Sequence, residues 1–517
     1  MNNNSIDYSQ KVVEMKNITK KFGDFIANDN INLTVHKGEV HALLGENGAG
    51  KSTLMNILYG LYNPTSGEIY INGELVDISN PNVAISKGIG MVHQHFKLVE
   101  NFTVLENIVL GMETTKNGML KMDDARKKVV ELSEKYNLSV DPDSKIEDIT
   151  VGMQQRVEIL KMLYRENEIL IFDEPTAVLT AAEIEELLNI MKSLIAEGKS
   201  IIFITHKLNE IKKVADRCTV LRKGKYIGTV DVATSTKEEL SKMMVGRDVN
   251  FEVEKSPSQP KDVILEVKNL SLKSKISQKD VLKDISFKVR AGEILSIAGI
   301  EGNGQSELVY AITGLVKSNA GEILLNGKNI ENESIRKRTL TGMGHIPEDR
   351  HKHGLVLDYT VAENMILQTY FKSPFQKNGF LQKNEIFNFS DRLIKEYDVR
   401  SGQGSNTIAR SMSGGNQQKA IIAREIDRDP DLLVAVQPTR GLDVGAIEYI
   451  HKQLIKVRDE GKAVLMVSLE LDEVMNVSDR ILVIYEGELV GEFNPKEITV
   501  EELGLYMSGS KRRELNE

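Results

Sequence analysis

The sequence predicts an α/β protein that consists of two tandem domains, each built on a parallel sheet covered by helices. Two observations support this prediction. Short, continuously apolar segments alternate with helical patterns, and the second half of the chain repeats the first. The offset is 254 residues in the early part of each half and 263 further along, so the second copy carries nine extra residues. The matched motifs are Gly38-Glu39 with Gly292-Glu293, Gly67-Glu68-Ile69 with Gly321-Glu322-Ile323, and Asn72-Gly73 with Asn326-Gly327. A period of this length is typical of a duplicated domain and not of a solenoid repeat.

The ends of the repeat predict the domain boundaries. We expect the first domain over residues 12–247, a linker over residues 248–262 and the second domain over residues 263–508. The linker contains Pro257 and Pro260 among polar residues, which is a composition typical of an exposed connection.

Within the first domain, apolar runs and glycine positions predict the individual elements. Short apolar runs predict buried strands, and the patterned segments that follow them predict helices. In chain order we predict a strand over Val40–Leu44, a helix over Ser52–Leu61, a strand over Ile169–Phe172, a helix over Ala182–Ile195 and a strand over Ser200–Thr205. The segment Phe102–Leu163 lacks this alternation and is predicted to be a mostly helical insert.

Composition and charge exclude several classes of protein. Lys and Arg number 66 while Asp and Glu number 75, which gives a net charge of −9, so we expect no extensive surface for nucleic-acid backbones. The single cysteine, Cys218, permits no internal disulfide, and we expect a reducing compartment. No apolar run approaches the ~18 residues of a membrane-spanning helix, and the polar N-terminus lacks the features of a secretion signal.

A glycine-rich segment predicts a phosphate-binding loop between the first predicted strand and helix. It reads Gly45-Glu46-Asn47-Gly48-Ala49-Gly50-Lys51-Ser52, followed by Thr53. It matches the pattern G-x-x-x-x-G-K-[ST] in the strand–turn–helix context that this pattern requires. Glycines let backbone N–H groups converge on phosphate oxygens, and the helix adds its positive end. We expect these residues to bind a nucleotide, with Lys51 at the β- and γ-phosphates and the Ser52 hydroxyl as a ligand of Mg²⁺.

Two carboxylates supply the second half of such a site. Asp173 and Glu174 directly follow the apolar run Ile169–Phe172. We expect Asp173 to hold Mg²⁺, directly or through water, and Glu174 to orient and deprotonate the attacking water. Together with the phosphate loop, the pair predicts a site for nucleotide hydrolysis.

A third motif carries a resemblance to a known family. The second copy reads Met412-Ser413-Gly414-Gly415-Asn416-Gln417-Gln418, and the first copy reads Ile149-Thr150-Val151-Gly152-Met153 in the same register. Over nearly its whole length the chain resembles the ATP-binding cassette (ABC) family, whose signature is L-S-G-G-Q. The resemblance implies two tandem phosphate-loop ATPase domains, each with a RecA-like parallel core, an antiparallel β subdomain and a helical subdomain.

The resemblance also implies roles for residues outside the phosphate loop. By position, Gln94 is the Q-loop glutamine, which serves catalysis and Mg²⁺ binding, and His206 is the switch histidine. Phe22 is the aromatic residue that stacks on adenine. ATP and Mg²⁺ are the implied cofactors, and Lys51, Glu174, His206 and Gln94 are the implied catalytic residues.

The second copy departs from this pattern at each catalytic position. Gln305 stands in place of Lys51, Val436 in place of Asp173, Gln437 in place of Glu174, Leu469 in place of His206, and Glu348 in place of Gln94. Because a lysine, a metal ligand and a base are all replaced, we expect no ATP hydrolysis on this copy's own phosphate loop.

Cassettes of the resembled family pair head to tail, which implies one complete catalytic site per chain. The residues that would face the intact loop are Ser413, Gly414, Gly415 and Asn416 of the signature and Asp443 of the D-loop. The altered loop would instead face Val151 and Thr180. Val151 places a side chain where the backbone must approach a phosphate closely.

Two fused cassettes without a membrane segment resemble the energising subunit of a bacterial sugar or nucleoside importer. The stretch Pro347-Glu348-Asp349-Arg350 supports that group, and Gln437-Pro438-Thr439-Arg440-Gly441 favours its nucleoside importers. The resemblance implies a peripheral ATPase at the cytoplasmic face of the cell membrane. Its implied partners are transmembrane permease subunits, of which we expect two, and an extracellular solute-binding lipoprotein. We expect no nucleic-acid partner.

Two other functions stay open. The first is the same role in a ribose, galactose or xylose importer. The second is that of a soluble two-cassette ABC translation factor acting on ribosomes. Such factors usually keep both phosphate loops intact and carry a long charged linker, so Gln305 and the short linker argue against them.

Overall fold

A computed structural model of the chain describes residues 7–93, 96–113, 115–116, 119–176, 179, 181–247, 253, 255–274 and 279–513. The chain folds into two compact units, residues 1–249 and 250–517. The predicted linker 248–262 falls partly outside the described residues, because 248–252 and 254 are among those not described. No helix among the described residues is both long enough and apolar enough to span a bilayer.

The first unit alternates strands with helices after an antiparallel start. Its strands are β1 (Asp7–Phe22), β2 (Phe25–Lys37), β3 (Val40–Leu44), β4 (Ser66–Ile71), β5 (Glu74–Leu75), β6 (Ile89–Val92), β7 (Thr115–Lys116), β8 (Met119–Leu120), β9 (Ile169–Asp173), β10 (Ser200–Ile204), β11 (Arg217–Arg222) and β12 (Lys225–Asp231). Its helices are α1 (Lys51–Leu58), α2 (Pro81–Ser86), α3 (Val104–Val109), α4 (Met122–Lys135), α5 (Val151–Tyr164), α6 (Ala181–Ala196), α7 (Leu208–Val214) and α8 (Lys237–Val245), with a 3₁₀ turn at Ile146–Asp148.

The described strands of the first unit, apart from the short hairpin β7–β8, form one sheet in the order β5-β4-β1-β2-β12-β11-β3-β10-β9-β6. The strands β11, β3, β10, β9 and β6 are mutually parallel, whereas β1, β2, β4 and β5 are antiparallel. In register, Ile204 of β10 lies beside Leu43 of β3 and Asp173 of β9. The carboxyl ends of these three strands therefore meet at one edge, where parallel α/β sheets bind ligands.

Each face of this parallel sheet packs against a different layer. Phe172 and Phe203 lie in one core with the helical insert and α6. Ile171 and Ile202 lie in the other core, with α1 and the antiparallel strands. Because successive side chains of a strand point to opposite faces, a continuous apolar run serves both cores. The parallel core, the antiparallel strands and the helical insert of the prediction are confirmed.

The second unit repeats this architecture. Its strands are β13 (Val263–Lys273), β14 (Asp280–Arg290), β15 (Ile294–Ala298), β16 (Ala320–Leu325), β17 (Lys328–Asn329), β18 (Met343–Ile346), β19 (Gln376–Lys377), β20 (Phe380–Leu381), β21 (Leu432–Val436), β22 (Ala463–Val467), β23 (Arg480–Tyr485) and β24 (Glu488–Phe493). Its helices are α9 (Gln305–Thr313), α10 (Ile335–Leu340), α11 (Val361–Met365), α12 (Lys383–Glu396), α13 (Gly414–Asp427), α14 (Val444–Asp459), α15 (Leu471–Val477) and α16 (Val500–Met507), with shorter helical turns at Arg350–Gly354, Gly404–Asn406 and Ala409–Ser411.

Apart from the short hairpin β19–β20, the described strands of the second unit form a mostly parallel sheet, β18-β21-β22-β15-β23-β24, and an antiparallel sheet, β14-β13-β16-β17. The parallel order β23-β15-β22-β21-β18 is that of β11-β3-β10-β9-β6 in the first unit. In the first unit a short parallel pairing between Lys225 of β12 and Asp29 of β2 joins the two sheets into one.

The predicted strand Val40–Leu44 matches β3, and the other predicted elements match within one residue except for the first helix. That helix was expected over Ser52–Leu61 but ends at Leu58. Gly60 has a positive φ of 79°, and the Leu61 N–H donates to the Asn56 carbonyl at 2.8 Å. This left-handed glycine turn terminates the helix in the way that is common at helix C-termini.

Candidate functional site

The phosphate loop of the first unit connects buried strand β3 to α1 and is held by a neighbouring strand. Gly50, at the start of α1, has a φ of 96°, in the region that favours glycine. A Cβ atom there would lie 2.6 Å from the Ala27 carbonyl oxygen and 2.5 Å from Asn28 Nδ2. The Asn28 amide donates to the Gly50 carbonyl at 3.0 Å. Sequence reasoning missed Asn28, because a polar residue early in a strand carries no motif.

Lys51 is buried beneath this loop, with 5% of its surface exposed. Its Nζ donates to the carbonyls of Gly45 and Glu46 at 2.8 and 3.1 Å and lies 4.0 Å from Glu174 Oε1. Burial lowers the pKa of Lys51, while the charges of Glu174 and Asp173 oppose this shift. The loop thus places a cation at its centre, beside two carboxylates.

Ser52 and Asp173 form a hydroxyl–carboxylate pair next to Lys51. The Ser52 Oγ donates to Asp173 Oδ1 at 3.2 Å. Burial and the charge of Glu174 raise the pKa of Asp173 to about 6, against the hydrogen bond from Ser52 and the charge of Lys51. Hard oxygen donors of this kind suit Mg²⁺, which usually takes one or two carboxylates together with substrate phosphates. A divalent cation would also favour the ionised form of Asp173.

Glu174 leaves the strand in an unusual backbone conformation that directs it towards His206. Its φ is 47°, and its N–H donates to the Ile204 carbonyl at 3.0 Å. Glu174 Oε1 lies 3.4 Å from His206 Nδ1. Burial alone would raise the pKa of Glu174, but the hydrogen bond with His206 and the charge of Lys51 hold it below its ordinary value. An ionised carboxylate beside the phosphate loop is what a general base requires.

The remaining predicted residues of the first unit lie near this site or outside the described residues. Phe22 ends β1, and its exposed ring meets Tyr62 edge-on, with centroids 5.4 Å apart. The hairpin that begins with Phe22 leads into the residues of β2 that contact Gly50. Gln94 and Thr180 lie outside the described residues, so their predicted roles stay predictions.

The second unit keeps the shape of the loop with different side chains. Gln305 is also 5% exposed, and its amide donates to the Ile300 carbonyl at 2.9 Å, a bond of the kind that Lys51 makes. Gln437 has a φ of 42°, and its N–H donates to the Val467 carbonyl at 2.6 Å. The backbone of a phosphate-loop site is therefore retained, while the lysine charge and the base are not.

Glu348 occupies the centre of this second site. Its Oε2 accepts from Ser306 Oγ at 3.2 Å. Its Oε1 accepts from Gln437 Nε2 at 2.9 Å and from Arg440 Nη1 at 2.8 Å. The repeat aligns Glu348 with Gln94. The sequence does not show that the Glu348 carboxylate contacts the loop serine, Ser306.

The signature residues of the second unit lie together at the start of α13. Ser413 is the exposed residue that precedes the helix, and its Oγ accepts from Asn416 Nδ2 at 2.9 Å. A Cβ atom on Gly415 would lie 3.6 Å from Asp443 Oδ2. Gly414 opens the helix. The predicted signature and D-loop residues of this unit thus form one cluster.

The corresponding helix of the first unit, α5, begins differently. The Thr150 hydroxyl accepts from the Met153 N–H at 3.3 Å and caps the helix. Val151 presents a side chain that is 46% exposed. In the first unit the Thr150 hydroxyl is therefore engaged in capping α5, and the exposed residue that follows it, Val151, is apolar.

Known proteins resemble this chain over nearly its full length. It is 60% identical to a nucleoside import ATP-binding protein, NupA, of Lactococcus lactis, over 98% of this chain and 100% of that protein. It is 58% identical to a guanosine import ATP-binding protein, NupO, of Bacillus subtilis, over 97% of this chain and 98% of that protein. It is 43% identical to a glucose import ATP-binding protein, TsgD13, of Haloferax volcanii, over 96% of both.

A solved structure of an archaeal ribosome recycling factor, aABCE1, in complex with the ribosomal stalk protein aP1, matches with a TM-score of 0.62 and 18% identity. The match covers 95% of this chain and 92% of that one, and at this identity it shows the fold alone.

The family model for the ABC transporter family matches residues 28–177 and 282–440. These ranges contain both phosphate loops and both strand-end pairs described above. The chain therefore belongs to the ABC transporter family of ATP-hydrolysing proteins, and it carries two ABC cassettes.

Proposed function

We propose that the chain is the ATP-hydrolysing subunit of a nucleoside importer and that only its first phosphate loop turns over ATP. One observation carries this proposal. Lys51, Asp173, Glu174 and His206 meet at the first loop, whereas the second loop has the same backbone with none of these side chains. Hydrolysis needs the charges and the base, and the first unit alone supplies them.

In this proposal each residue of the first loop has one task. Lys51 neutralises the charge that develops on the phosphates, and Glu174, oriented by His206, accepts a proton from the attacking water. Gln94 contributes to the same step, and Phe22 stacks on the adenine. Mg²⁺, held by Ser52 and Asp173, would supply charge stabilisation to the phosphates. The lowered pKa of Glu174 keeps it ionised and ready to act.

We further propose that the signature cluster of the second unit completes the first loop's site. Ser413 and the cluster around Gly415 and Asp443 keep their polar and glycine residues, whereas α5 begins with Val151. We also propose the domain boundaries 12–247, 248–262 and 263–508. ATP would then bring the two halves together, and hydrolysis would release them.

A cysteine pair tests this crosswise site. Cys218 is buried, and burial raises the pKa of its thiol to about 12, so the native background of reactive thiols is low. In an E174Q chain, Asn47→Cys and Ser413→Cys should form a disulfide with ATP and Mg²⁺ and not with ADP. Equal cross-linking without nucleotide, or none under any condition, would contradict the crosswise site.

Kinship favours nucleosides over sugars as the transported solute. The two nucleoside and guanosine import relatives share more identical residues with this chain than the glucose import relative does. The alternative is a monosaccharide importer of the ribose, galactose or xylose type. It is supported only by the chain's resemblance to the wider group, which contains sugar importers as well as nucleoside importers. The translation-factor alternative is disfavoured, because the likeness to a ribosome recycling factor is one of fold and the second loop lacks its lysine.

The proposed partners follow from this role. The chain would bind transmembrane permease subunits, two by expectation, at the cytoplasmic face of the membrane, with a solute-binding lipoprotein on the outer side. In the first unit a cavity of about 160 Å³ lies beside the end of β6, lined by His93, Lys97, Glu158 and Arg165 among others. His93 and Lys97 of its lining flank Gln94 in the chain, and we propose this cavity as the place where a permease segment docks.

Uptake measurements test the proposed function. A strain deleted for this gene should lose uptake of labelled guanosine or uridine and regain it with the wild-type gene, but not with one encoding E174Q. Ribose and xylose uptake should be unaffected. Loss of sugar uptake with normal nucleoside uptake would favour the sugar alternative, and a defect in ribosome function with both uptakes normal would favour the translation factor.

A further inference from the structure

The second unit carries a short hairpin, β19–β20, between α11 and α12. Its turn residues, Asn378 and Gly379, have φ values of 54° and 83°, as in the tight two-residue turns of β-hairpins. The base of the hairpin is buried. Phe375 packs with Ile386 in one core, and its ring meets that of Phe389 with centroids 4.8 Å apart. The hairpin is therefore fixed at its base, and its turn projects into solvent.

The exposed end of this hairpin is apolar. Phe380 is 76% exposed, more than any other large hydrophobic side chain among the described residues, and Leu381 is 54% exposed. In the segment that leads into the hairpin, the ring of the exposed Tyr370 meets that of Phe371 with centroids 5.6 Å apart. Exposed apolar side chains that are grouped, and not scattered singly, mark interaction sites.

The charges of the same segment are basic. Residues 364–384 contain no Asp or Glu and three lysines, Lys372, Lys377 and Lys383, all of them exposed. The guanidinium of Arg336, in α10, lies 3.9 Å from the centroid of the Phe371 ring and adds a fourth positive charge. This local charge is opposite in sign to the net charge of −9 of the whole chain.

A protrusion that is both apolar and basic fits the surface of an anionic lipid membrane. Aromatic and aliphatic side chains insert at the boundary between headgroups and acyl chains, and lysines are attracted to anionic headgroups. A stable protein interface usually buries about 800 Å² on each partner. The side chains of Phe380 and Leu381 alone offer much less than that area, whereas insertion into lipid needs no matching partner surface.

We propose that the β19–β20 hairpin contacts an anionic lipid membrane, with Phe380 and Leu381 inserted among the lipids and the three lysines beside the headgroups. The contact is weak and reversible, because few side chains insert, and it orients the second unit towards the membrane. This inference goes beyond the proposed function, which names only protein partners, and rests on it for a chain that works at a membrane.

Tryptophan fluorescence of the full chain tests the insertion. The chain contains no tryptophan, so Phe380→Trp introduces a single reporter at the end of the hairpin. With vesicles of phosphatidylglycerol and phosphatidylcholine in equal amounts, its emission should shift to shorter wavelengths as the indole leaves water. Vesicles of phosphatidylcholine alone should give no such shift, and high salt should reverse it by screening the attraction to the headgroups.

A second tryptophan variant serves as the matched control. Leu75, in β5 of the first unit, is 63% exposed, but Glu74 and Asp77 adjoin it in the chain. The emission of a Leu75→Trp chain should stay unchanged with both kinds of vesicle. A shift equal to that of the F380W chain would show that any exposed apolar residue adsorbs to the vesicles, which would contradict the proposal.

Co-sedimentation with the anionic vesicles tests the lysines. Lys372→Gln, Lys377→Gln and Lys383→Gln should each weaken binding by about fivefold, the contribution of one lysine near an anionic surface. Lys395 is exposed near the other end of α12, beside Glu396. Lys395→Gln removes the same charge and should leave binding unchanged. ATP hydrolysis without vesicles should be normal in every variant, which shows that each is folded.

Two outcomes would overturn the proposal. One is an F380W chain whose emission does not respond to anionic vesicles, or responds equally to phosphatidylcholine alone. The other is an emission that responds only when permease subunits in detergent are added, which would assign the hairpin to a protein interface instead. Neither outcome depends on solute uptake, so the proposed function is tested separately by the uptake measurements.

Discussion

The two phosphate loops of this chain share a backbone and differ in charge. Lys51 and Gln305 are equally buried, and each donates to loop carbonyls. Glu174 and Gln437 leave their strands with nearly the same φ, 47° and 42°. Both loops thus have a hydrogen-bond donor at the lysine position and a residue in left-handed conformation after the strand. We propose that catalysis requires in addition that these residues be charged.

The largest expected effect comes from the base. Glu174→Gln keeps the size and the hydrogen bonding of the side chain but cannot accept a proton from water. We expect steady-state ATP hydrolysis to fall by about 10²- to 10⁴-fold, with ATP binding retained. Phosphate release and nucleotide binding on the purified chain measure the two effects.

The change at the corresponding position of the second unit is Gln437→Ala. We expect it to change turnover by less than about twofold, because the uncharged Gln437 side chain does not stabilise the charge that develops in the transition state. A loss as large as that of E174Q would show that both loops hydrolyse ATP.

The next effect concerns stability and pH. Burial raises the pKa of Asp173 to about 6, above the value of an unfolded aspartate, so ionised Asp173 destabilises the fold. This cost is complete above pH 6 and disappears as the pH falls towards 4, where the carboxyl is protonated in both states. Asp173→Asn should therefore raise the free energy of unfolding of the nucleotide-free chain at pH 8 by up to about 3 kcal/mol. Denaturant unfolding with EDTA at pH 8 and pH 4.5 measures it.

In that comparison, Val436→Asn at the corresponding position of the second unit should bring no gain at either pH, since it replaces a buried apolar side chain with a polar one. A gain from Asp173→Asn that is constant across the pH range would contradict the proposed origin of the effect.

Lys51→Gln makes the first loop resemble the second. Because Gln305 already fills this position in an intact loop, we expect nearly unchanged thermal unfolding. Turnover should fall by about 10- to 100-fold, the effect of losing one charge-assisted bond to phosphate. Calorimetry and phosphate release on the same preparation measure both quantities. A chain that unfolds at a much lower temperature would show that the lysine charge itself supports the fold.

The smallest effects compare the two helix starts. Thr150 caps α5 with its hydroxyl, whereas the Ser413 hydroxyl accepts from Asn416 and makes no cap bond. Thr150→Ala should cost about 1 kcal/mol of stability and leave turnover nearly unchanged. Ser413→Ala should leave stability unchanged and lower turnover about tenfold. Denaturant unfolding and hydrolysis assays on both variants measure this exchange of roles, and identical behaviour of the two variants would argue against the crosswise site.

Much of this structure follows from the sequence because its elements are continuous in the chain. Three parallel strands of the first unit, β3, β9 and β10, were predicted to within one residue, since burial on both faces leaves an uninterrupted apolar run. The predicted end of α1, Leu61, lies three residues beyond the observed end, Leu58. The apolar pattern continues past Leu58, whereas the helix ends because of the conformation of Gly60.

What the sequence did not show are contacts between distant segments. Ser306 and Glu348, and Glu348 and Arg440, are far apart in the chain and meet only because β18 lies beside β21. Alignment of the two copies identifies Glu348 as the residue in place of Gln94. It does not reveal that Glu348 contacts the loop serine, as Asp173 does in the first unit. Such compensation is visible only when the register of neighbouring strands is known.

The brace between Asn28 and Gly50 has a consequence for how inherited changes in such a protein are interpreted. Asn28 is fully buried, sits in the antiparallel layer and belongs to no recognised motif. A survey that scores variants by whether they alter a named motif would class its replacement as harmless. The Asn28 amide nevertheless hydrogen-bonds to Gly50, whose geometry sets the first turn of α1. A substitution in this strand can therefore impair the ATP site although the strand contains no recognised motif.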